Sequence, residues 1–236
     1  MTSLLKRSFE GQGYCQSDFE DAAIAIVWLE SHGLNGLEIC SSQRVARTKV
    51  EVNLTADEQN ATVVDLKKQS IAFFGRSIVD LACAGALAER VDRLAIQNCC
   101  DQSAILPSLC NIGARGLHAL AYWNDDNFLC VARIVADQRI PSIRYLTPVA
   151  TEKGADPDLN LVCSKGVQNI DSLETSLTGD DNGGVRYISS TDFANQFDAV
   201  INSGIEVNDE LMSTLVAYAD TILVESTEQS RLGAGE

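Results

Sequence analysis

Two imidazoles stand in 236 residues, His32 and His118, so any chemistry that needs a neutral-pH general base has few candidates. His32 follows an apolar helical stretch and lies at its predicted C-terminus, where the helix dipole favours a protonated ring. Capping accounts for it before proton transfer does. His118 opens a predicted hairpin strand and reads as structural. For anions the best candidate is Gly75-Arg76-Ser77, because a strand ending in glycine would aim free helical N–H groups and a guanidinium to one side. An N-cap by Ser77 with a solvated Arg76 explains the same three residues more simply.

The cysteines are Cys15, Cys40, Cys83, Cys99, Cys100, Cys110, Cys130 and Cys163. None of these spacings makes a CxxC, so no local zinc site is expected. Cys99-Cys100 could form a vicinal redox pair, but that bond strains its own peptide unit, and strand-end thiols are the preferred reading. No GxGxxG, Walker or GxSxG pattern occurs, which removes support from those enzyme classes. The loop Gly179-Asp180-Asp181-Asn182-Gly183-Gly184 lacks the alternating acids and terminal Glu of a calcium hand and reads as a turn, as does Asn124 to Asn127. In the tail from Glu225 to Glu236, Arg231 is the one cation after Arg186. Fraying is the default there, and docking of Arg231 onto acids of a neighbouring lobe or subunit is the alternative. If the protein is an enzyme, His32, Arg76, Asp80 and Arg231 are the polar groups to examine.

These residues need elements to hold them. Leu4, Leu5 and Phe9 have helical spacing ahead of Gly11-Gln12-Gly13, and Ser17 to Glu20 reads as a capping box for a second helix ending at Gly33. Val45 to Lys68 is ambiguous, although Val50, Val52 and Leu54 alternate. Ile71 to Phe74, then Gly75, then Ser77 to Arg90 reads as strand, turn and helix, with a strand resuming at Leu94-Ala95-Ile96. Alternation on either side of Asn124 to Asn127 predicts a hairpin from Leu117 to Ile134. Short apolar runs at Ile143 to Leu146, Leu159 to Val162 and Val185 to Ile188 predict further strands, and Thr191 to Asn202 and Asn208 to Ile222 two more helices. The expected fold is α+β, with helical ends around a mainly antiparallel or mixed sheet, as a single domain over residues 1–236. A two-lobed arrangement with residues 151–236 as the second lobe is the alternative.

The chain carries 33 acids against 18 bases, a net charge of −15, and residues 151–236 hold 16 of the acids and 4 of the bases. Such a surface repels phosphate, and no basic stripe interleaved with aromatics appears, so neither nucleic acid nor an anionic membrane is an expected partner. The first residues lack the apolar run of a secretory signal, and the apolar stretches Ala22 to Trp28 and Ile78 to Ala88 fall short of the roughly 20 residues that span a bilayer. A cytoplasmic protein with reduced thiols is the consistent expectation.

Three segments resemble an uncharacterised bacterial family of short acidic proteins that carries only a domain-of-unknown-function label. They are Gly11-Gln12-Gly13-Tyr14 with Trp28-Leu29, Gly75 to Asp80, and Gly204-Ile205-Glu206-Val207 through Ser226 to Gly235. That resemblance implies a single-domain bacterial protein and no activity. Separately, Gly13 through Leu37, above all Ser31-His32-Gly33-Leu34, is similar to the opening of malate/lactate dehydrogenase-like oxidoreductases, with Glu30 where Asp is usual. It implies His32 as an acid/base residue and NAD(P) as cofactor. Without that resemblance the residues require no cofactor and no metal, and they lead to an accessory or small-molecule-binding protein, a homo-oligomer, with the 2-hydroxy acid oxidoreductase as alternative.

Overall fold

A computed structural model describes residues 1–41, 53–56, 61–89, 91–125, 127–147, 158–179 and 185–222. Val45, Val50 and Val52, most of the Gly179 to Gly184 loop, and the tail with Arg231 lie outside the described residues.

The predicted hairpin is present: β4 (His118–Asn124) and β5 (Leu129–Ile134) pair antiparallel. At its tip the Asp125 carboxylate accepts from the N–H groups of Asn127 and Phe128, so a side chain closes the turn together with the backbone bond from Asp125 N–H to the Phe128 carbonyl at 2.9 Å. The three short apolar runs are the strands β6 (Ser142–Leu146), β7 (Leu159–Ser164) and β8 (Arg186–Ile188). With β1 (Asn53–Ala56), β2 (Thr62–Ser70) and β3 (Val91–Cys100) they form one eight-stranded sheet, ordered β1-β2-β3-β7-β4-β5-β6-β8. Only β2 and β3 run parallel among the described strands, so the sheet is mixed and mainly antiparallel. The fold is α+β.

The βαβ unit exists but begins elsewhere than expected. The strand before the crossover is Thr62–Ser70, and Ile71-Ala72-Phe73-Phe74 is already the first turn of α4 (Ile71–Glu89). Ile71, Ala72 and Phe73 are all buried, and a run buried on successive residues carries no period that distinguishes helix from strand. The Ser70 hydroxyl accepts from Ala72 N–H. Gly75 therefore sits inside a helix, where a Cβ would lie 3.1 Å from the Ser108 hydroxyl. α4 is long and apolar enough by length and composition to cross a membrane, yet half of it is buried against the rest of the chain, as a core helix is.

The opening helices are α1 (Thr2–Gly11) and α2 (Gln16–Ser31), followed by one turn, α3 (Glu38–Ser41). The expected capping box at Ser17 is absent. Cys15 is the N-cap of α2, which puts Ser17 inside the first turn, where its hydroxyl donates to Asp18. The stop at Gly33 holds: Gly33 has φ +74° and Leu34 N–H reaches back to Leu29 C=O at 2.9 Å, a left-handed helix ending that glycine adopts freely. The capping box of this chain is at Ser189 and Asp192, opening α7 (Ser190–Ser203), and α8 (Asp209–Asp220) follows with Asn208 as its N-cap. Three elements escaped the sequence reading: a 3-10 turn at Gln102–Ile105, α5 (Leu106–Ala114), into which it runs, and α6 (Val167–Thr178).

Alternation decides what each face of the sheet meets. Leu94, Ile96, Ala119, Ala121, Ala132, Leu161 and Cys163 face α4, α2 and α5 in the main core, which also takes in Leu5, Phe193 and Leu215 from the two ends of the chain. Leu120, Val131 and Val162 face the other way and close over Ile170 of α6. Arg133 and Arg144 reach from the sheet to Glu174 of α6 at 2.5 and 3.3 Å, and Arg133 also to Asp171 at 2.6 Å, which fixes that helix laterally.

Candidate functional site

His32 ends α2, as its position after the apolar run predicts, but it does not point into solvent as a charged cap. It is 6% exposed. The ring lies flat against Trp28, centroids 3.9 Å and planes 14° apart, and Phe197 of α7 covers its other side at 5.3 Å and 26°. Phe193 closes the edge at 5.9 Å. Nδ1 is 2.6 Å from the Trp28 carbonyl and 3.2 Å from the Ser31 hydroxyl. A carbonyl only accepts, so Nδ1 carries the ring proton and Nε2 is the basic nitrogen. Burial among aromatics pulls the His32 pKa below its ordinary value, against the opposing pull of the Trp28 carbonyl. The ring is a neutral plug between α2 and α7.

The segment after it is held as tightly. Glu30 Oε2 accepts from Leu37 N–H at 2.9 Å, and a Cβ on Gly36 would fall 2.1 Å from the Ile26 carbonyl. A small groove of about 200 Å³ borders this corner, lined by Glu30, Glu38, Glu206, Asn35, Asn208 and neighbouring apolar groups.

Arg76 and Asp80 do not join His32. Arg76 bridges α4 to Asp21 of α2 at 3.3 Å, and Asp80 pairs with Arg115 at the end of α5 at 2.5 Å. Gly75-Arg76-Ser77, being mid-helix, has no free N–H groups to offer an anion, and Ser77 is no N-cap. His118 Nδ1 accepts from Ala136 N–H at 3.2 Å, which ties the start of β4 to the turn after β5. Cys99 and Cys100 end β3, where the Cys100 thiol reaches the Lys68 carbonyl at 3.8 Å. Among the described residues no group of three His, Cys, Asp or Glu could hold a metal ion.

At the carboxyl ends of the parallel strands the backbone is unusual. Lys67, Lys68, Asn98 and Asp101 have φ of +52°, +67°, +49° and +56°. The Asp65 carboxylate organises the bend, taking Lys67 N–H at 3.0 Å and the Asn98 amide at 2.9 Å as well as the Lys67 ammonium, and these donors hold it down to about 2. Nearby, one Asp101 carboxylate oxygen is buried without a hydrogen-bond partner among the described residues, and burial together with the charges of Asp101 and Glu30 pushes the Cys40 thiol up to about 12.

A larger groove lies on the opposite face of the sheet from His32. It is a groove of about 710 Å³ between β3 and α6, lined by Val91, Arg93, Val162, Leu173, Asn169, Ser172, Ser176, Glu89 and Asp92. Apolar groups alternate there with amide, hydroxyl, guanidinium and carboxylate, in a volume that suits a small organic molecule. Sequence reasoning missed Arg93 because α6 was not foreseen, and it missed the aromatic box, although Trp28 and Phe193 stand four residues from His32 and Phe197 on helices that it did foresee.

The family described as Protein of unknown function (DUF3726) matches residues 1–70. No curated protein matches the sequence. In fold the chain is similar to malate dehydrogenase from Pyrococcus horikoshii OT3, at 10% identity and TM-score 0.64 over 95% of this chain and 94% of that one. It is similar to a putative malate/lactate dehydrogenase from E. coli, at 8% identity and TM-score 0.63 over 97% and 96%. A delta1-piperideine-2-carboxylate reductase from Pseudomonas syringae pvar. tomato follows at 11% and 0.60 over 92% and 97%. At such identities the likeness is one of fold, and it extends far beyond the Ser31-His32-Gly33-Leu34 corner.

Proposed function

We propose that this protein is an accessory, small-molecule-binding protein built on a malate/lactate dehydrogenase-like fold, and that its ligand is a small carboxylate held between β3 and α6. The groove of about 710 Å³ carries this reading. Arg93 is its guanidinium, suited to a carboxylate. Asn169, Ser172 and Ser176 add orienting donors, and Val91, Val162 and Leu173 take the carbon skeleton. Solved proteins of similar fold are named for malate, lactate, piperideine-2-carboxylate and sulfolactate, all small carboxylates, which supports that ligand class. A cytoplasmic homo-oligomer fits the reading. The test is a melting series of the full chain with malate, lactate, sulfolactate and a cyclic imino acid, each at millimolar concentration. One of them raises Tm in the wild type and not in Arg93→Ala, since a ligand that binds only the native state stabilises it. No shift with any, or an undiminished shift in Arg93→Ala, overturns the proposal.

The second reading is an NAD(P)-dependent 2-hydroxy acid oxidoreductase with His32 as acid/base, favoured by a likeness that covers nearly the whole chain. A dinucleotide needs N–H groups or cations for its pyrophosphate near the reacting centre. The described residues around His32 do not fit that need: the bordering groove presents Glu30, Glu38 and Glu206 and no lysine or arginine, and three aromatic rings enclose the imidazole. A Tm rise with NADH or NADPH would favour this reading over the first.

A further inference from the structure

The groove between β3 and α6 does not stay on one face of the sheet. β3 first registers with its parallel neighbour at the pair Thr62 and Leu94, so Val91, Asp92 and Arg93 stand before the pairing with β2 begins. Consecutive strand residues point to opposite faces. Val91 packs into the cluster under α6, and Arg93 shares its side of the strand. Asp92 turns the other way, toward α4, where its carboxyl carbon lies 2.4 Å from the place that a Cβ on Gly85 would take. A side chain at position 85 would push that carboxylate away. Arg93 and Asp92 nevertheless line the same groove, together with Glu89 from the end of α4, so the groove wraps around the start of the strand.

Its two ends carry opposite charge. The Arg93 guanidinium stands at one, the Glu89 and Asp92 carboxylates at the other, and none of the three forms an ion pair among the described residues. Burial raises the Asp92 pKa and the charge of Glu89 raises it further, while the Arg93 N–H works against them. That is the environment of an anion short of a counter-cation. Lys165 does not supply one: its ammonium goes to the Leu87 carbonyl of α4 at 2.5 Å. Between the charged ends Val91, Val162 and Leu173 form an apolar floor.

We infer that the groove selects a carboxylate that also carries a cationic nitrogen several carbons away, an ω-amino acid, with Arg93 taking the carboxylate and Asp92 and Glu89 the ammonium. This rests on the carboxylate reading of the groove given above and narrows it. An α-amino acid holds its two charges on one carbon and cannot reach both faces of the strand at once. A dicarboxylate sets its second anion against two others. Lactate engages the Arg93 end alone and binds more weakly. An ω-amino acid satisfies each end with a charge-assisted hydrogen bond and lays its methylenes on the apolar floor.

The experiment titrates the folded full-length protein with 6-aminohexanoate and with hexanoate, its nitrogen-free counterpart, and reads binding heat and Tm. In the wild type 6-aminohexanoate binds at least ~10-fold more tightly than hexanoate, the gain expected of one hydrogen bond between charged groups. In the double variant Glu89→Gln with Asp92→Asn, which keeps the shape of both side chains, most of that advantage disappears while hexanoate binds as before. Arg93→Ala weakens both ligands. Each comparison sets two ligands on the same protein, so a change in a variant's own stability does not enter. Equal binding of the two ligands by the wild type, an advantage undiminished in the double variant, or binding of lactate without binding of 6-aminohexanoate overturns the inference and leaves the carboxylate reading standing. No binding of 6-aminohexanoate, hexanoate, lactate or malate overturns both.

Discussion

The imidazole of His32 lies flat on the indole of Trp28 four residues earlier, with Nδ1 2.6 Å from the carbonyl of that same residue. One residue thus stacks the ring and fixes its tautomer, and the ring in turn seats α7 through Phe193 and Phe197.

A neutral buried imidazole makes stability depend on pH. The folded-state pKa of His32 is lowered, while the unfolded chain takes up its proton near 6.5. Below about pH 6.5 the unfolded state binds more protons, so the contribution is complete above that pH and is lost as pH falls. Urea unfolding at pH 7.5 and 5.5 should show a smaller loss on acidification in His32→Gln than in the wild type, and the His32 ring protons should titrate below the range of a free histidine by NMR.

Phe193 is the one fully buried side chain that α7 inserts into the core. Phe193→Ala should cost about 3–5 kcal/mol in denaturant unfolding, and Phe197→Ala, 39% exposed, about 1 kcal/mol. Hydrogen exchange should show α7 amides losing protection before those of β4, because one anchor holds that helix.

Glu174 accepts from two guanidiniums at a nearly buried position, and its loss leaves Arg133 and Arg144 facing each other. Glu174→Gln should cost about 1–3 kcal/mol and loosen α6. Because α6 forms one wall of the groove, any Tm shift from a carboxylate ligand should shrink in this variant even though Arg93 is intact.

Gly36 has no room for a side chain, since a Cβ would meet the Ile26 carbonyl at 2.1 Å and Leu29 Cβ at 2.8 Å. Gly36→Ala should destabilise by about 1–3 kcal/mol or more. Gly13→Ala, where no atom of the described residues lies within 4 Å but φ is +91°, should cost about 1 kcal/mol from backbone strain alone. Comparing their unfolding midpoints separates steric clash from conformational cost.

What could be read from the residues alone is what local periodicity and turn chemistry encode. Alternation over Leu117 to Ile134 and the Asn/Asp turn within it specify the hairpin, the Gly33 signal ends α2, and short apolar runs mark β6, β7 and β8. Ile71 to Phe74 defeated the same logic because residues buried on every side show no period, and that error made a helix interior look like an anion-binding loop. The likeness at Ser31-His32-Gly33 was legible as a string of letters. That Phe193 and Phe197, some 160 residues later, would enclose His32 was not, because only chain reversal through the sheet brings α7 onto α2. Arg93 beside α6 is likewise a product of tertiary structure. Each pairs residues of distant segments, and their proximity depends on strand order and on which sheet face a helix covers, quantities that the spacing of neighbours along a chain does not carry.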